Sequence, residues 1–135
     1  MGFEVVDRYL LGEPVSKPEA IAALLAERSP APAAAPFYRA FEAVGARAAD
    51  EAFIALRLIL AGKAHDDASV RRLRAFASVA RAGRAGDRAG LAAALKRDAG
   101  ILAELEPRSL DGEAGEAGEA ALVAAATVAY QLELA

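Results

Sequence analysis

Apolar residues recur at intervals of three and four along most of this chain, a period that predicts helices rather than strands. Ile21, Leu24 and Leu25 share one face of a helix that Ser16 and Glu19 can open as a capping box. Pro18 is tolerated in its first turn, and the helix should run to about Arg28. Phe37, Phe41, Val44 and Ala48, followed by Phe53, Leu56 and Leu60, keep helical spacing from Phe37 to about Ala61. This stretch reads as one helix or as two broken near Gly45 or Asp50, with Gly62 as the C-cap. The next pattern starts at Asp66 or Asp67, turns Val70, Leu73, Phe76, Ala77 and Ala80 inward, and stops at Gly83. Asp87 caps a further helix to about Leu105 along the stripe Leu91, Leu95, Leu102 and Leu105, and Pro107 ends it. After a loop over 108–118, a last helix runs from about Glu119 to Leu134. Residues 3–11 stay open between a short helix and an edge strand, because Phe3, Val5 and Val6 suit either. The expected fold is all-α, a compact alanine-rich bundle of five or six helices.

Two segments depart from this regular pattern. Between Ser29 and Pro36 stand Pro30, Pro32 and Pro36, which predict an extended polyproline-like spacer over 30–36 in place of a helix. That spacer sets residues 1–29 apart as an N-terminal arm or first helices and leaves 37–135 as the core, with one domain expected overall. The last helix is apolar almost all round, and complete burial of one helix is hard to arrange in so small a chain. Leu122, Val123, Val128, Tyr130 and Leu132 are therefore candidate contacts with a second copy or a partner.

Composition narrows the chemistry. Cysteine is absent, which removes disulfides, thiolate metal sites and cysteine nucleophiles. The start Met1-Gly2-Phe3-Glu4 does not read as a secretory leader, and the longest uncharged apolar run, Ala120 to Tyr130, is about half of what spans a bilayer. A cytoplasmic protein without a membrane partner is the expectation. Thirty-eight residues are alanine, which favours helices and lets their axes approach closely. Uncharged polar side chains are scarce: five serines, Thr127, Gln131 and no asparagine. Enzyme sites need convergent polar groups in a pocket, so this scarcity argues against catalysis.

Charge is arranged in blocks. Through Val70 ten acids face seven bases; from Arg71 to Arg97 eight bases face Asp87 alone; from Asp98 onward eight acids face Arg108. The central bases, Arg71, Arg72, Arg74, Arg81, Arg84, Arg88, Lys96 and Arg97, are candidate contacts for an anion or polyanion. The two helices around Gly83–Gly90 have the outline of a helix-turn-helix, and the glycine turn could hold a phosphate. Against this, Gly90-Leu91-Ala92-Ala93-Ala94 offers no polar base reader, and Asp87 would repel an anion at the cap. The simpler expectation is that the block pairs with Glu104, Glu106, Asp111, Glu113, Glu116 and Glu119 of the same chain, or with those of another copy. His65 has Asp66 and Asp67 beside it, but no second histidine or cysteine completes a triad or a metal shell. Asp50-Glu51, Asp66-Asp67 and Glu104/Glu106 read as caps and solvated charges. No catalytic residue, cofactor or metal is expected.

These features point to a small non-catalytic helical protein that acts by binding protein, as a homo-oligomer or as a subunit or adaptor of a larger complex. Nucleic-acid or polyanion binding through 71–97 is the alternative. An enzyme or ligand binder with an apolar pocket between helices comes third.

Overall fold

Residues 2–44, 49–105 and 116–135 are described by a computed structural model, and within them the chain forms eight α-helices and no strand. In order these are α1 (Gly2–Leu10), α2 (Lys17–Ala26), α3 (Ala35–Val44), α4 (Ala49–Leu60), α5 (Asp67–Ala85), α6 (Arg88–Arg97), α7 (Ala99–Leu102) and α8 (Glu116–Leu134). The all-α reading holds, while the count of five or six helices is too low for identifiable reasons.

The open segment at the N-terminus is helical: Val6 and Leu10 project from α1 into the core one turn apart. The stretch from Phe37 to Ala61 yields α3 and α4; residues 45–48, where one of the two expected breaks falls, lie outside the described residues. The single helix expected from Asp87 to Leu105 divides at Asp98 into α6 and α7. Asp98 is 5% exposed and accepts hydrogen bonds from Arg74 at 3.1 Å and Arg97 at 2.9 Å. Burying a carboxylate there requires those guanidiniums, and they come from outside the local apolar pattern. The expected loop 108–118 falls largely outside the described residues, and α8 is already helical at Glu116.

The prolines also behave differently from the expectation. Pro32 opens a single 3₁₀ turn, Pro32–Ala34, and Pro36 stands in the first turn of α3. A first helical turn has no use for the proline N–H, so the ring is tolerated there. The turn is held down by Ala34, which is fully buried, and by the Tyr38 hydroxyl, which accepts from Ser29 N at 3.0 Å.

Local signals fix most other boundaries. Ser16 and Glu19 form the full capping box on α2, Asp66 Oδ1 accepts from Ser69 N, and Asp87 Oδ1 accepts from Gly90 N. Gly62, at φ +74°, closes α4, and Lys63 N reaches back to the Leu58 carbonyl. Gly83 does not end α5; the helix runs two residues further, and Gly86 at φ +69° caps it.

α5 is the central element and touches α1, α4, α6, α7 and α8. Leu73, Phe76, Val79 and Ala80 are buried along it and meet Val6, Leu10, Leu24, Phe53, Leu56 and Tyr130 in one cluster. Each large side chain so buried stabilises the fold by about 1.5–3 kcal/mol. α8 lies antiparallel along α5, with Val123 beside Gly83 at one end and Glu133 beside Arg72 at the other.

Candidate functional site

Among the described residues, the crossing of α5 and α8 borders a groove. A Cβ built on Gly83 would collide with the Val123 side chain, so glycine is what lets the two helices approach here. Past this point α5 ends at Gly86 and the chain turns through Asp87 into α6. Between α8 and the α5–α6 turn lies the groove, about 700 Å³ in volume and open to solvent. Its floor and α8 wall are mostly small or apolar: Gly83, Leu91, Ala120, Val123, Ala124 and Val128. Arg84, Asp87 and Arg88 line it at the turn between α5 and α6.

The apolar girth of α8 resolves into two faces. Leu122, Ala126 and Tyr130, four residues apart, are buried against the rest of the chain. Ala120, Ala124, Val128 and Leu132, also four apart, form an exposed face, with Val128 58% and Leu132 68% accessible. Of the five residues singled out for contact, Leu122 and Tyr130 therefore serve the interior, and Val123 is half-buried against Gly83. Val128 and Leu132 face outward, and Val128 stands at the edge of the groove.

Most of the central basic block is engaged within the chain. Arg72 pairs with Glu104 and, at 3.5 Å, with Glu133; Arg74 pairs with Glu51 at 3.0 Å and Asp98 at 3.1 Å. Arg81 reaches Asp50 at 3.0 Å, Arg97 reaches Asp98 at 2.9 Å, and Arg84 reaches Glu13 at 3.5 Å. Glu104 was the expected kind of partner. Glu13, Asp50 and Glu51 were not, and they come from the opposite end of the sequence. The Glu106–Glu119 carboxylates lie outside the described side chains. Arg71, Arg88 and Lys96 are exposed.

No protein-family model, no curated protein and no solved structure matches the chain. The site must be read from its own geometry.

Two polar clusters went unrecognised in the sequence. Asp7 accepts from Arg57 Nε at 2.8 Å, from a second Arg57 nitrogen at 3.1 Å and from the Tyr130 hydroxyl at 2.6 Å. Burial pushes the Tyr130 hydroxyl far above its ordinary range and the Asp7 charge adds to this, so the group stays protonated and donates. Asp50 accepts from the Tyr9 hydroxyl at 2.9 Å and from Arg81, and pairs with Lys17 at 3.1 Å; Arg81 also lies over the Tyr9 ring, 4.3 Å from its centroid. Burial raises the Asp50 pKa, but the Arg81 charge and the hydrogen bonds from Tyr9, Lys17 and Arg81 outweigh it and leave the carboxyl below its usual value. Both clusters tie helices together. The carboxylates hold Arg57 in one cluster and Arg81 and Lys17 in the other. A polar hollow of about 170 Å³ beside Arg74, Ser78 and Arg81 is likewise balanced by Asp50 and Glu51.

His65 is exposed in the loop before α5. Among the described residues no three His, Asp or Glu side chains gather closely enough to hold a metal ion, and no helix is long and apolar enough to cross a membrane.

Proposed function

We propose that this protein is a non-catalytic helical bundle that works by binding another protein, with the outward face of α8 and the adjoining groove as its contact surface. The observation that carries this reading is the placement of Val128 and Leu132. They are the large hydrophobic side chains exposed among the described residues, they sit one turn apart, and they continue the line of Ala120 and Ala124 into the groove. An exposed apolar strip beside a groove is the form that helix-in-groove recognition takes. The scarcity of uncharged polar groups supports binding over catalysis.

The polyanion reading gains less. Five of its eight bases, Arg72, Arg74, Arg81, Arg84 and Arg97, are paired with carboxylates of the same chain and would have to exchange partners to meet phosphates.

Sedimentation velocity tests the proposal, with wild-type protein compared with Val128→Asp/Leu132→Asp, alone and with proteins that co-purify with the wild type. Both sites are exposed, so the variant should keep its urea midpoint. The expected result is an assembly, of copies or with a partner, that forms in the wild type and is weakened at least about ten-fold in the variant, as for the loss of central apolar contacts. A wild-type monomer at all concentrations with no partner, or an assembly indifferent to the double substitution, overturns it.

A further inference from the structure

We infer that the groove is filled by a second copy of this chain, in a two-fold dimer whose α8 helices run antiparallel and each seat Leu132 over the groove of the other. This rests on the reading of α8 as the contact surface and names the partner.

The outward face of α8 is graded in size. Ala120 and Ala124 stand toward its start and Val128 and Leu132 toward its end, each four residues after the last. The groove lies at the small end: Ala120 and Ala124 line it together with Gly83, Gly86 and Leu91, whereas Leu132 does not. Leu132 instead projects into solvent further along the same helix. One helix face thus carries a hollow and a projection, with Ala120 and Leu132 about 18 Å apart at 1.5 Å rise per residue.

A single symmetry operation satisfies both features. A two-fold axis passing midway between Ala124 and Val128 turns the partner helix antiparallel. It sets the partner's Leu132 opposite Ala120 and the partner's Val128 opposite Ala124, and the reverse holds for the other copy. Each large side chain then meets an alanine, so the backbones approach evenly along the contact and the hollow is filled. In a parallel pair, leucine would meet leucine and alanine would meet alanine. That arrangement splays the helices at one end and leaves both grooves empty. The antiparallel contact is isologous and closes at two copies.

The extent of the patch fits the same reading. The described residues that line the groove, taken with Leu132, amount to about half of the 20–30 that a standard interface uses on each side. A helix docked one way into the groove covers the hollow and leaves Leu132 outside. The two-fold covers hollow and projection twice over, and it draws on size rather than on the charges of Arg84, Asp87 and Arg88. An interface of this extent makes a reversible dimer, with Kd on the order of 10 μM.

The chain has no cysteine, so introduced thiols report the register without background. Ala120→Cys and Leu132→Cys, both at exposed positions, are oxidised mildly, each alone and as an equal mixture. A disulfide needs Cα atoms within about 7 Å, and like positions lie about 18 Å apart in the antiparallel pair. The mixture should therefore form covalent dimers at least about ten-fold faster than either variant alone. Sedimentation velocity from about 1 μM to about 0.5 mM should show the wild type passing from monomer to dimer. Ala120→Trp fills the hollow from an exposed position and should weaken the dimer at least about ten-fold at an unchanged urea midpoint. A wild type that stays monomeric over that range, a dimer indifferent to Ala120→Trp, or either cysteine variant cross-linking alone as fast as the mixture overturns the inference. The two readings fail separately. If the wild type is monomeric by itself but joins a different protein in an assembly that Val128→Asp/Leu132→Asp weakens, the second copy is wrong and the contact surface stands. If neither assembly forms, the surface itself is wrong.

Discussion

Asp50 shows how much a single side chain can be asked to hold. Its two oxygens receive the Tyr9 hydroxyl, an Arg81 nitrogen and the Lys17 ammonium, so one carboxylate joins α1, the start of α2, α4 and α5. These partners favour the charged form and hold the carboxyl below its ordinary value despite the opposing effect of burial. A depressed folded-state pKa means that the contribution to stability is complete above the unfolded value and is lost as pH falls through the folded one. The wild type should therefore lose stability as the pH drops below about 4, and Asp50→Asn should remove part of that acid sensitivity while lowering stability at neutral pH. Urea midpoints at neutral pH and at about pH 3 measure both effects. A variant whose midpoint falls with acid as steeply as the wild type would show that Asp50 is not the titrating group. Asp50 is partly exposed, so solvent screening keeps its share modest.

At the scale of elements, α5 and α8 make the defining contact, and Gly83 sets how close they come. Gly83→Ala should destabilise by about 1–3 kcal/mol, because the added methyl meets Val123 and the helices must separate. Val123→Ala on the same background should recover much of the loss, leaving a double-mutant coupling of at least about 0.5 kcal/mol by urea unfolding. Strict additivity would mean that the two residues do not touch. Gly83 also shows what the sequence could and could not convey. Caps announce themselves locally, and Ser16, Glu19, Asp66 and Asp87 were legible because each bonds the backbone three residues away. A glycine near a helix end reads locally as a stop, and only the packed partner shows that Gly83 is there for a crossing. Asp98 was illegible in the same way, since its break between α6 and α7 depends on Arg74, far back along α5. The two faces of α8 could not be told apart because alanine and leucine occupy both. The groove is lined by residues of α5, α6 and α8, far apart in the chain, and hydrophobic period carries no trace of how those helices meet.

Across the whole molecule the charge blocks act as a double clasp. The central bases reach back to Glu13, Asp50 and Glu51 and forward to Asp98, Glu104 and Glu133, so the positive stretch is pinned between two negative ones. Most of these pairs are partly exposed, worth a few tenths of a kcal/mol each and screened by salt. Raising NaCl from about 0.05 M to about 0.5 M should lower the unfolding free energy by about 1 kcal/mol or less, as measured by urea titration at both salt levels. A loss several times larger would make the clasp, and not the apolar core, the main support of the fold. The bond from Tyr130 to Asp7 has a different kind of consequence. It spans 123 positions, so Asp7 can have the Tyr130 bond beside its two bonds from Arg57 only once α8 has been synthesised. Closing so long a loop is a late and entropically costly event. The Asp7 cluster of α1 is thus complete only after translation has passed Tyr130.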